Sequence, residues 1–146
     1  MIALVQGLLI RPVLKYLGER GTVIYGLLFD VLAFGLLAIV TSGTIALILI
    51  PIAALAGVVT PALQGLMSRS VADDQQGELQ GALTSVSALA MIIAPMAMTT
   101  TFAAFTGDTA PIYFPGAPFV LSMVLVIVAI VLFVRYRPLN DATETT

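Results

Sequence analysis

The run TVIYGLLFDVLAFGLLAIVT, Thr22–Thr41, decides the class of fold. As an α-helix rising ~1.5 Å per residue it spans about 30 Å, the thickness of a bilayer's hydrocarbon core. Its one charged residue, Asp30, lies close to the middle. An ionised group at that depth costs at least ~2.5 kcal/mol on insertion scales, so it must face a partner or a wet cavity. Asp30 is also the one charge in the chain that cannot be moved to a membrane surface.

Composition agrees with a lipid-solvated chain. Hydrophobic residues make up 60% and charged residues 10% of the 146, whereas soluble domains carry roughly 25% charged residues. Six basic and eight acidic side chains cannot coat a globule of this size. The expected fold is therefore an all-α integral membrane bundle. Its formal net charge of −2 is less informative than where the charges sit. The chain has no cysteine and no histidine, which removes thiol chemistry, disulfides and the commonest metal ligand and general base. The N-terminus does not read as a signal peptide, because its first charges, Arg11 and Lys15, follow the apolar run.

Outward from Thr22–Thr41, the chain divides into apolar spans and polar connections. Met1–Ile10 is apolar apart from Gln6 and ends at Arg11-Pro12. It is a partial helix, expected to begin inside a span whose earlier turns are missing; a short re-entrant segment is the alternative. Residues 11–21, holding Arg11, Lys15, Glu19 and Arg20, read as a basic loop. Ser42-Gly43 makes an uncharged turn. A second span covers 44–67, where Pro51, Gly57 and Pro61 should bend or unwind the helix. Ala53 and Gly57 form a small-xxx-small pair suited to close helix approach.

Residues 68–80 are polar, with Arg69, Asp73, Asp74 and Glu78. Acids just ahead of Leu79 suit the start of the next helix, where the dipole favours negative charge. The third span, 81–105, is rich in Ser, Thr, Ala and Met and is expected to line the bundle interior. Residues 106–118, with Pro111, Pro115 and Pro118, read as a stiff loop whose aromatics, Tyr113 and Phe114, belong at headgroup level. The last span, 119–134, is the most uniformly aliphatic, and 138–146 reads as a disordered tail.

Every lysine and arginine falls in 11–21, 68–80 or the C-terminal segment, and none falls in 42–43 or 106–118. Alternate connections are thus basic, and the positive-inside rule assigns them, with the C-terminus, to the cytoplasm.

On a helix Asp30 shares its face with Gly26, Ala33, Phe34 and Leu37. Small neighbours leave room for water or a ligand. A carboxylate opened alternately to two aqueous sides can take up and release a proton, so Asp30 is the leading candidate for a transport pathway, with a structural hydrogen bond as the alternative. No basic residue lies inside a full span to pair with it. Gln6, Gln64 and the hydroxyls of 81–105 are the candidate hydrogen-bond donors. No nucleophile–base pair, no phosphate-binding loop and no second membrane carboxylate for an aspartyl dyad is present. Neither an enzyme nor a nucleic-acid binder is expected, and no cofactor or resident metal is implied.

The run Pro61-Ala62-Leu63-Gln64-Gly65-Leu66-Met67-Ser68-Arg69, continued by Asp73-Asp74-Gln75-Gln76-Gly77-Glu78-Leu79-Gln80-Gly81, resembles a signature of the tetracycline-efflux branch of the major facilitator superfamily. In that branch similar residues connect the tenth and eleventh helices. Gly18-Glu19-Arg20 resembles the end of the loop between helices eight and nine, and Asp30 falls where these exporters carry a membrane acid in helix nine. The resemblance covers nearly the whole chain. It departs from the loop motif at Arg11, Lys15 and Tyr16, where the family has a glycine, an acid and a basic residue.

What the resemblance implies is part of the C-terminal six-helix half of a twelve-helix antiporter in a bacterial inner membrane. Such proteins exchange drug for protons and take tetracycline as a complex with a divalent cation. Asp30 would belong to the substrate and proton pathway. Gly18, Glu19, Arg20, Arg69, Gln76, Gly77 and Gly81 would belong to cytoplasmic loop motifs. The partners implied are the bilayer, a small-molecule drug with protons, and a missing N-terminal half. The alternative is a non-transporting membrane fragment, or a small subunit that packs against a partner.

Overall fold

The computed structural model describes residues 2–107, 110 and 112–135, with side chains from Val13 onward. The segment 138–146, expected as a tail, lies outside the described residues. Five helices and no strand occur among the described residues: α1 Ile2–Ile39, α2 Gly43–Leu55, α3 Val59–Ser68, α4 Gln76–Thr106 and α5 Ala117–Arg135. Short 3₁₀ turns, Ala56–Val58 and Asp73–Gln75, precede α3 and α4. Among the described residues four stretches are long and apolar enough to cross a membrane: Val13–Ile39, Gly43–Ser68, Asp73–Thr106 and Ala117–Arg135. This is the expected all-α membrane bundle.

The first departure from expectation is at 11–21. Helix continues through most of that segment, and a single residue breaks it: Gly18, at φ 68° and ψ 177°. A charged stretch suggests a loop, but charged side chains tolerate helix well. The break needs only one residue able to adopt positive φ, which glycine does readily. The hydroxyl of Thr22 donates to the Gly18 carbonyl at 2.6 Å, so the break is bonded into the helix that follows. Thr22 and its neighbour Val23 are 0% and 1% exposed.

The second span unwinds near Gly57, while Pro51 is carried inside α2. Pro61 occupies the first turn of α3, where a helix has no acceptor for the missing amide. The 3₁₀ turn at Ala56–Val58 falls one turn ahead of Pro61, where its ring would crowd a regular helix. Pro118 likewise lies in the first turn of α5 rather than in the connecting loop, for the same reason. The third span begins as early as Gln76, with Glu78 in its first turn and Asp73 and Asp74 in the 3₁₀ turn before it. These acids sit where the helix dipole favours them.

The core is built from small residues: Ala33, Ala38, Ala54, Ala56, Val58, Ala62 and Ala117 are buried. A helix pair in lipid gains by close packing rather than by excluding water, so small side chains at the contact are what allow it. Gly26 of α1 is buried, and a Cβ there would collide with Val59 and come 3.2 Å from Val58 Cγ2. Gly116, just before α5, lies against the Ala38 carbonyl so closely that a Cβ would overlap it. At Gly35 the neighbour is the Met123 sulfur, 3.3 Å from where a Cβ would be. Thus α1 is the central element, packed on α5 on one side and on α2, α3 and their connecting turn on the other.

Helix α4 stands apart. No residue in it is buried, so the expected interior position is not met within this chain. Most of its hydroxyls donate to its own backbone. Thr84 donates to the Gln80 carbonyl at 2.8 Å, Ser85 to Gly81 at 2.9 Å, Thr100 to Met96 at 2.7 Å and Thr101 to Ala97 at 2.7 Å. A threonine or serine bonded back by one turn presents mostly carbon outward. Contact with α5 comes through Ser122, whose hydroxyl lies 3.8 Å from the Met98 sulfur.

Candidate functional site

Asp30 lies near the middle of the membrane-crossing part of α1. Along the axis it is about 15 Å from Arg20 and about 12 Å from Ala38 at ~1.5 Å per residue. Its carboxylate is half-buried, and among the described residues it makes no hydrogen bond or ion pair. Two small residues of its helical face, Gly26 and Ala33, are buried, and the ring of Phe29, beside it in sequence, packs on Tyr25 with centroids 4.7 Å apart. The face around Asp30 is therefore close-packed one turn to either side while the carboxylate itself is not sealed.

The expected donors are not assembled around it. Gln64 is exposed on α3, and the side chain of Gln6 lies outside the described residues. Most hydroxyls of α4 are turned to their own helix, as above. What the chain supplies at mid-depth is one acid on a tightly packed helix, with no partner from its own described residues.

Of the residues that the resemblance assigns to loop motifs, Gly18, Glu19, Arg20 and Arg69 line one cleft at one end of the bundle. Arg69, which caps α3, reaches Glu19, one residue past the Gly18 break, with Nη2 to Oε1 at 3.2 Å. Arg20 lies over the Phe133 ring near the end of α5, its guanidinium carbon 5.7 Å from the centroid. Gln76 closes the connection between α3 and α4. Its amide donates to the Ser68 carbonyl at 2.6 Å, and the Ser68 hydroxyl donates to its Oε1 at 2.9 Å. Gly77 and Gly81 have no contact that would forbid a side chain. Ser68 and Phe133 are the participants that sequence reasoning did not single out. Ser68 lay inside the quoted run, whereas nothing along the sequence marks Phe133.

These contacts put Arg20, Arg69 and the Arg135 end of α5 on one side, and the Ala38–Gly116 contact on the other. The spans therefore alternate in direction, with basic residues gathered at a single end. Between α1 and α3 at that end lies an open cleft of about 940 Å³, lined by Leu14, Lys15, Leu17, Glu19, Leu66 and Arg69, among others.

A helical membrane bundle with one mid-depth acid and its basic connections on one side is the architecture of a multi-pass membrane protein. The chain belongs to the family of tetracycline resistance proteins. It is 39% identical over 102 residues to the class C tetracycline resistance protein of Escherichia coli, a match covering 70% of this chain and 26% of that protein. It is 37% identical over 105 residues to the class G protein of Vibrio anguillarum, covering 72% and 27%. A class E protein of Escherichia coli is 33% identical over 136 residues, covering 93% and 32%. The chain thus spans about a quarter to a third of the length of these relatives. No protein-family model and no solved structure matches it.

Proposed function

We propose that the chain is the C-terminal portion of a proton-coupled drug exporter of the bacterial inner membrane. Its substrate is tetracycline-like and is carried as a complex with a divalent cation, and the basic end of the bundle, with the C-terminus, faces the cytoplasm. The observation that carries this reading is Asp30: an unsealed carboxylate at mid-depth with no partner among the described residues, in a chain whose relatives are named for resistance to tetracycline. A lone acid suits contact with a cation already held by the drug. Such a site at the interface of two related halves is completed by the other half. Helix α4, with no buried residue in this chain, supports a need for that further wall.

The test uses the chain co-expressed with, or joined to, the missing portion. Asp30→Asn should abolish drug-driven proton movement in everted vesicles while leaving membrane insertion unchanged. Drug accumulation equal to that of the unmutated exporter would sink the role of Asp30. The chain alone, inserted in vesicles, should not move drug.

A further inference from the structure

The cleft at the basic end has a composition that the transport reading does not use. Its lining mixes apolar side chains, Leu14, Leu17 and Leu66, with Lys15, Arg20 and Arg69 and the single acid Glu19. Glu19 is engaged by Arg69. Lys15 is exposed and among the described residues has no ion pair. With Glu19 and Arg69 paired to each other, Lys15 leaves the lining with a positive charge that they do not offset.

Position narrows what this charge meets. The cleft lies where the second membrane-crossing stretch ends, at Ser68, and beside the break at Gly18, which is the depth of the headgroup region. Tyr16, adjoining Lys15, is 85% exposed, and exposed tyrosines belong at that level. At about 940 Å³ the opening is in the range of sites for whole small molecules, ~300–1,000 Å³, and far exceeds one inorganic phosphate. Basic pockets between membrane helices hold anionic lipid headgroups.

We infer that the cleft between α1 and α3 binds the headgroup of an anionic phospholipid, with Lys15 on the phosphate and the first acyl carbons along Leu14, Leu17 and Leu66. Glu19 engages Arg69, which leaves Lys15 as the cation for the phosphate. This assignment does not depend on what the protein transports.

The test is native mass spectrometry of the 146-residue chain, released from dodecyl maltoside micelles that contain equal amounts of phosphatidylglycerol and phosphatidylcholine. Phosphatidylglycerol should be retained at least about fivefold over phosphatidylcholine, and Lys15→Gln should lower its retention about fivefold, the contribution of one basic residue near a membrane surface. Lys15→Arg should restore it. Helicity by circular dichroism should be the same for all three chains, since Lys15 is exposed. Equal retention of the two lipids, or phosphatidylglycerol retention unaffected by Lys15→Gln, would overturn the inference. So would displacement of the lipid by millimolar inorganic phosphate, which would mark a site for a soluble anion.

Discussion

Arg69 Nη2 lies 3.2 Å from Glu19 Oε1, joining the end of α3 to α1 one residue beyond the Gly18 break. Glu19 is 20% exposed and Arg69 79%. Arg69 thus reaches a mostly covered Glu19 from solvent, and contacts with an exposed partner contribute ~0–1 kcal/mol and weaken with salt. The pair's effect is positional: it fixes the chain on the far side of a backbone break. Glu19→Gln and Arg69→Gln should each lower the stability of the bundle in detergent by less than about 1 kcal/mol. Their coupling in a double-mutant cycle should shrink between low and high salt. A coupling of several kcal/mol, indifferent to salt, would mean the pair is shielded from solvent.

The break itself offers a sharper comparison. Neither Gly18 nor Gly81 has any atom within 4 Å of where a Cβ would sit. Among the described residues only Gly18 has positive φ. Gly18→Ala should therefore cost about 1–2 kcal/mol through backbone strain. Gly81→Ala, inside α4, should be neutral or stabilise by up to about 1 kcal/mol. Thermal unfolding of the two variants in one detergent checks this. Equal effects would show that the helix relaxes around residue 18.

Three other glycines are distinguished by what lies against them. At Gly116 the obstacle is the Ala38 carbonyl, at Gly26 it is Val59 and Val58, and at Gly35 it is the end of the Met123 side chain. Backbone cannot turn aside, a β-branched side chain yields little, and methionine yields readily. Alanine substitutions should thus destabilise in the order Gly116, Gly26, Gly35, with the first two in the ~1–3 kcal/mol range of overpacked contacts. Melting temperatures in a common detergent would reveal the order, and a larger loss at Gly35 than at Gly116 would contradict it.

Much of this was legible in the sequence because membranes constrain it so strongly. The apolar lengths and the alternation of basic segments gave the helices and the common end of Arg20, Arg69 and Arg135. Asp30 stood out as a charge with nowhere else to go. The conformation at 11–21 was not legible, since four charges in a short run are equally compatible with a loop and with a helix broken once. Of the three residues expected to disturb the second span, Gly57 marks where it unwinds, at Ala56–Val58, one turn ahead of Pro61, whereas Pro51 is carried inside α2. The hydroxyls of α4 looked like an interior lining, and counting polar side chains could not reveal that most of them donate to their own helix backbone. The contacts of Glu19 with Arg69 and of Arg20 with Phe133 join residues far apart in the chain, so they depend on how the helices pack.

The connection from α3 to α4 depends on Gln76. It donates to the Ser68 carbonyl and accepts from the Ser68 hydroxyl, closing residues 69–75 into a loop held at its neck. Gln76→Leu removes both bonds, and Ser68→Ala removes only the one from the hydroxyl. Each such bond contributes ~0.5–1.5 kcal/mol. Amide hydrogen exchange across 69–75 should therefore quicken in both variants, and more in Gln76→Leu. Thr100→Val provides the comparison. Its hydroxyl donates to the Met96 carbonyl within its own helix, an acceptor that regular helical bonding already serves. Exchange in α4 should be little changed by that substitution. If Gln76→Leu left 69–75 exchanging as slowly as before, the neck would have to be held by something other than these two bonds.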